Sequence, residues 1–273
     1  MTSRASCRHT GRWHQAAQGG FSMVEMAIAL VVAGLMSWAA FSGYETVTAQ
    51  QEIERGRAEA EQLQSIVRAF ALRHGRLPCP DSDAVADGYE NPPNGNCAAG
   101  NQVGWFPYVS MGLPMPTDKF LARYSVFRAA NLADPGRDAD LAVVTERTRD
   151  PDPAVPGNSS VPTYRDVTDL IAGLNNASNT AIVPFSAART YLTGDAGVAG
   201  AIDCAANQVM AAAYWLIVPL QDRSGDGDRF DAPHTPGSAC AASPSAPLRF
   251  GSDDVVVAES PGQLAGWLRR SLP

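Results

Sequence analysis

Apolar and polar positions fall into three textures along the chain. Residues 1–20, MTSRASCRHTGRWHQAAQGG, are polar and basic and have no apolar core. From Phe21 to Tyr44 the chain is apolar almost without break, and Glu25 is its one charged side chain. Twenty-four residues in a helix rise about 36 Å, enough to cross a hydrocarbon layer about 30 Å thick. Beyond Tyr44 the helical period continues on a polar background. Ile53, Gly56, Ala60, Leu63, Val67 and Phe70 recur at steps of three and four, which places one apolar stripe on a helix otherwise covered by Glu, Arg and Gln. Gly75 and Pro78 are stop signals. The pattern predicts one continuous helix from about Ser22 to His74: residues 21–44 apolar enough for lipid, residues 45–76 amphipathic and packed on a head.

From Leu77 onward the texture is short and irregular, rich in Pro, Gly, Asn and Asp. The runs YSVF (124–127), LAVV (141–144), AIVPF (181–185), AAYWLIVPL (212–220) and DDVVVA (253–258) read as strands. A helix is expected at 163–175, after the polar loop RTRDPDPAVPGNSS. A short helix closes the chain, with Ser260 as its cap and Pro261 in its first turn. Residues 77–273 therefore read as a globular α+β head with long loops, and the fold class of the whole is α+β.

Charge then narrows the functions. The formal net charge is −7, but the first twenty residues carry Arg4, Arg8 and Arg12 and no acid. That leaves 18 basic against 28 acidic side chains, a net of −10, over residues 21–273. Such a body does not favour phosphate backbones, and no nucleic-acid partner is expected. Basic residues before the apolar run, and Glu45, Glu52 and Glu54 after it, place the N-terminus in the cytoplasm and the head across the membrane. Cys79, Cys97, Cys204 and Cys240 then lie in an exported segment, where disulfides are the expected use. Four cysteines allow three connectivities. The sequential one, Cys79–Cys97 with Cys204–Cys240, closes the shortest loops and is the expected pairing.

A charged side chain in a membrane-length segment costs about 2.5–3.5 kcal/mol on insertion scales, so Glu25 calls for a functional reason. The two glycines before the run, Gly19 and Gly20, supply context: a cut after Gly20 would leave the apolar helix on the mature protein, unlike a secretory signal. The junction GG/FSMVE, with its basic leader and about twenty apolar residues behind it, closely resembles the class III leader of type IV prepilins and type II secretion pseudopilins. In that family a membrane peptidase cuts after the glycine, the new N-terminal Phe is methylated, and a Glu lies four residues on. The resemblance implies processing at Gly20 and Phe21, with residues 1–20 as the removed leader, and an assembly role for Glu25.

The resemblance also implies a pilin-like fold, a long N-terminal helix packed on an antiparallel-sheet head. Partners would be a prepilin peptidase, other pilin or pseudopilin subunits and the inner membrane. The protein would be a single-pass inner-membrane protein with a periplasmic head, extracellular once assembled into a filament, and not an enzyme. GRLPCPDSD, GWFPYVSMGLP and the terminal SDDVVVAESPGQLAGWL look like a subgroup of prepilin-like proteins. Two departures from major pilins favour a minor pilin or pseudopilin. Ser42-Gly43 stands where many major pilins carry a kinking proline, and the head is long and rich in loops.

The physical reason for the spacing is charge. Cleavage creates a cationic amine on Phe21, and Glu25 of the same or a neighbouring subunit can neutralise it where either charge alone is expensive.

A second chemical candidate is DRSGDGDRFD (222–231), in which Asp222, Ser224, Asp226 and Asp228 alternate oxygen ligands with glycines, as calcium loops require. Pro233 falls where an EF-hand would place its bidentate Glu, so that motif is incomplete. No other cofactor is expected. Trp105, Phe106 and Tyr108 read as core anchors. Only His74 and His234 lie outside the leader, a poor basis for a zinc site or a His-dependent triad. Two alternatives stay open: a secreted periplasmic enzyme or binding protein whose conventional signal is cut near Ala39, and an enzyme tethered by this helix.

Overall fold

Helix α1 runs from Met23 to His74 in the computed structural model. The model describes residues 22–92, 97–98, 100–147, 166–180, 190–193, 209–222, 225, 227, 229–230, 234–235, 237–246 and 254–272. Two compact units divide at Ala49 and Gln50. The first contains the apolar part of α1, and every side chain from Ser22 to Val47 is exposed. The second contains the rest of α1 and the head. Gly75, in the left-handed region at φ 63°, ends the helix and donates its N–H to the Ala71 carbonyl at 3.0 Å.

Within the second unit, Gly56, Ala60, Leu63, Val67 and Ala71 of α1 are buried. The stripe leaves its expected line at the end: Ala71 takes the buried place, while Phe70 is half-buried and stacks on His74 with ring centroids 4.2 Å apart. Steps of four keep the contact under the same side of the helix, and a large ring one position earlier points past it. Gly56 allows close packing. A Cβ there would lie 2.6 Å from a Leu220 methyl and 3.2 Å from one of Val255.

The head is built on a four-stranded antiparallel sheet in the order β1-β2-β7-β9: β1 Val103–Trp105, β2 Arg123–Val126, β7 Tyr214–Val218 and β9 Val255–Glu259. A two-stranded ribbon pairs β3 (Arg128–Ala129) with β4 (Ala139–Asp140). A second sheet has the order β6-β5-β8, from β5 Thr190–Thr193, β6 Val209–Ala212 and β8 Cys240–Ala242, with β5 and β8 parallel.

Strand β7 shows why AAYWLIVPL is apolar throughout. Tyr214, Leu216 and Val218 join the core that includes Leu63, Val67 and Leu264, whereas Trp215 and Ile217 join Leu192, Ala241 and Ala242 of the second sheet. With both faces covered, alternation has no reason to appear.

Helix α2, Val167–Asn179, begins and ends about four residues later than expected, because Asp166 caps it and shares a capping box with Asp169. Helix α3, Pro261–Ser271, carries the expected Ser260 cap and completes a box with Gln263. The LAVV run is not a strand. Pairing stops at Asp140, whose carboxylate accepts the Ala142 N–H at 3.1 Å and turns the chain while Leu141 and Ala142 stay fully buried. The AIVPF run lies outside the described residues.

Cys79 and Cys97 form a disulfide with Cα atoms 5.6 Å apart, the first of the two expected bridges. Cys240 is also disulfide-bonded, and its expected partner Cys204 lies outside the described residues.

Candidate functional site

The first turn of α1 is organised by its own side chains. Ser22 Oγ accepts the Val24 N–H at 3.2 Å, and the Ser22 carbonyl accepts from Met26 at 3.1 Å. The Glu25 carboxylate reaches back to accept the Ser22 N–H at 2.9 Å. Ser22 and Glu25 thus cap the first turn with the S-x-x-E spacing of SMVE: the Glu25 half of a capping box is present, while Ser22 Oγ accepts from Val24. Gly20 and Phe21 lie outside the described residues.

Behind this cap, Met23, Leu30, Val31, Leu35, Met36, Trp38, Phe41 and Tyr44 are each more than half exposed. A contiguous apolar surface of this size is not left to water in a soluble monomer. The described residues contain one helix long and apolar enough to cross a membrane, and it is this one. The arrangement is thus an uncovered apolar helix with an exposed carboxylate at its first turn. Such a surface can bury itself in lipid or against like helices, and it holds an anion where an ammonium group could reach it.

The head contains several buried charges, each already engaged. Arg68 of α1 is held by Glu259 of β9, whose second oxygen accepts the Tyr214 hydroxyl at 2.5 Å. Arg76 pairs with Glu90 at 2.6 and 2.9 Å, Arg128 with Asp140 at 2.6 Å, and Arg147 with Asp138 at 2.6 Å. His234 and Asp254 are both buried, with Nδ1 2.9 Å from the carboxylate. Nε2 of His234 accepts the Ala242 N–H at 3.0 Å, so the ring proton sits on Nδ1 and is donated to Asp254. Both nitrogens are spent on structure, and no lone pair is left for a general base. Burial raises the Asp254 pKa, opposed by His234. Beside them burial pushes the Arg123 guanidinium down to about 10, and its ring contacts are Trp215 and Phe230.

In the acidic loop, Asp222 accepts backbone N–H groups from Gly225 at 2.7 Å and Gly227 at 3.0 Å, and both glycines have positive φ. Ser224, Asp226 and Asp228 lie outside the described residues, so the loop's ligand set is an expectation only. The structure adds a group not expected from the sequence. Oxygens of Asp81, Asp83 and Asp87 lie within 4.8 Å of one another, a grouping that the D-S-D spacing hinted at. Asp81 spends both its oxygens on the N–H groups of Asp83, Asp87 and Gly88, which explains the cluster as a turn anchor. Phe106 and Tyr108 are buried and Trp105 half-buried, in keeping with core anchors.

No family model matches the chain. No solved structure matches it significantly. Among curated proteins it is similar to the type IV major pilin protein PilE1 of Neisseria gonorrhoeae, 29% identical over 77 residues. The match covers 28% of this chain and 45% of that relative, so the chain spans less than half the length of the pilin it matches. Together with the long N-terminal helix and the antiparallel sheet that follows it, this likeness fits a pilin-like α+β fold.

Proposed function

We propose that this chain is a minor pilin or pseudopilin, a subunit of a type IV pilus or type II secretion pseudopilus. The observation that carries the reading is the uncovered apolar half of α1 with the Glu25 carboxylate in its first turn. The N-terminal residues 1–20 are removed by a prepilin peptidase between Gly20 and Phe21, and the new amine is methylated. Before assembly the helix crosses the inner membrane with its N-terminus in the cytoplasm and the head in the periplasm. On assembly the same apolar surface packs against the helices of other subunits, and the Phe21 amine of one subunit is neutralised by Glu25. The cap supports this reading, because the carboxylate folds back over Ser22, the residue that follows Phe21 in the sequence.

The Asp222 loop is proposed as a calcium site, tested by calorimetric titration of the exported head with calcium. Mass spectrometry of the mature N-terminus tests the main reading. A first residue of methylated Phe21 is expected, and a chain starting at Ala39 or Ala40 would favour a conventionally secreted protein instead.

A further inference from the structure

The exposed surface of α1 is not uniform along its axis. In its apolar part, Met23 to Tyr44, the three aromatic side chains are gathered at the end away from Glu25: Trp38, Phe41 and Tyr44 are 72%, 71% and 69% exposed. Spaced three apart, they fall within an arc of about 120° on the helix surface. The carboxylate of Glu25 projects roughly 100–160° away from them. Immediately after Tyr44 comes Glu45, the first charge since Glu25. The next polar side chains, Thr46 and Thr48, turn their hydroxyls onto the helix carbonyls of Ser42, Gly43, Tyr44 and Glu45 at 2.8–3.1 Å. The switch from apolar to charged surface thus occurs at the aromatic cluster, with the one phenol hydroxyl placed last.

From this we infer that Trp38 and Tyr44, with Phe41 midway between them, bind the interfacial zone of a phospholipid bilayer and set the depth of the span. The inference rests on the membrane-spanning reading proposed above. Indole and phenol rings favour that zone because an apolar body and a polar tip are satisfied at once. Leu or Val would be equally content anywhere in the hydrocarbon and could not fix depth. The register has a consequence for Glu25. It lies about 24 Å along the axis from Phe41, and the hydrocarbon is about 30 Å thick. With Phe41 at one boundary, Glu25 sits about 6 Å inside the other. Depth set at the aromatic end thereby holds the carboxylate inside the bilayer.

The test reconstitutes the full chain in vesicles of phosphatidylcholine carrying bromine either near the headgroup or near the chain end. The tryptophan quenching lost on Trp38→Phe then reports Trp38 alone among the five tryptophans. Quenching at least about two-fold stronger from bromine near the headgroup is expected for an interfacial ring. Stronger quenching from the chain end would overturn the depth register while leaving the membrane span intact. No lipid quenching of Trp38 from either position would overturn both.

Discussion

The Glu25 carboxylate accepts the Ser22 N–H at 2.9 Å, so the one charge in the apolar segment closes the start of its own helix. One side chain thus carries an observed local cap and the proposed counter-charge for assembly. They separate by substitution. Glu25→Gln keeps an acceptor for the Ser22 N–H, and Glu25→Ala removes it at about 0.5–2 kcal/mol of local helix stability. If charge is what assembly uses, both variants are processed and inserted but are recovered in sheared filaments at least about ten-fold less than wild type, a difference of only about 1.4 kcal/mol. Wild-type recovery of Glu25→Gln alone would assign the residue to the cap. Wild-type recovery of both would remove it from assembly altogether.

The Arg68–Glu259–Tyr214 network joins α1 to β9 and β7 across residues 191 apart in sequence. Glu259→Ala leaves a buried phenol without its acceptor and a half-buried guanidinium without its anion. The expected cost is about 3 kcal/mol, read as a lower urea midpoint with unchanged slope. Arg68 is partly solvated, so Arg68→Met should cost less than Glu259→Ala. The reverse order would mean that the guanidinium's packing over Trp267 outweighs the buried carboxylate.

Removing the Cys79–Cys97 bridge frees a loop with a sequence separation of 18. A Cys79→Ser, Cys97→Ser double variant should lose about 3 kcal/mol in the chain-entropy model. The loss is greater if Glu90 is also released, because its oxygens hold both the Cys79 N–H and Arg76. Thermal unfolding with and without reductant measures the cost. Non-reducing peptide mapping should also link Cys204 to Cys240, and a Cys97–Cys204 peptide would refute the pairing.

Burial pushes the phenols of Tyr108, Tyr124 and Tyr214 up, and all three lie in the core of the head. The folded state therefore holds these protons more tightly than the unfolded state does. Their stabilising contribution is complete below a pH of about 10, the ordinary phenol value, and is lost as pH rises through the folded values above it. Ultraviolet titration should show at least three of the seven tyrosines silent until the head unfolds in alkali. Ionisation of all seven in one smooth step near the ordinary value, with near-ultraviolet circular dichroism intact, would contradict this burial.

Much of the architecture is written in local pattern. The period of three and four from Ile53 to Val67, Gly75 as a stop and Ser260 before Pro261 each depend on neighbours within a turn or two, and each is where the structure has it. The unbroken apolar run around Trp215 likewise announces a strand covered on both faces. The candidate site was legible for the same reason, since a lone carboxylate in a membrane-length run is a one-dimensional signal. Its hydrogen bond to Ser22 was not expected from the sequence, although the S-x-x-E spacing is a local signal for it.

What tertiary structure alone decided lies between residues far apart in the chain. Nothing in LAVV distinguishes a strand from a buried turn until the Asp140 carboxylate captures the Ala142 N–H and Leu141 is claimed by Leu77 and Phe127. His234 and Asp254, twenty residues apart, become a closed buried pair only because Ala242 supplies the third contact. Gly104 reads as an ordinary strand glycine, yet the Asp81 backbone lies so close that a Cβ there would collide with its carbonyl. Periodicity and caps are fixed by bonds within one element and survive in the sequence as spacing. Which buried charge meets which partner depends on how several elements close together, and that leaves no regular spacing to read.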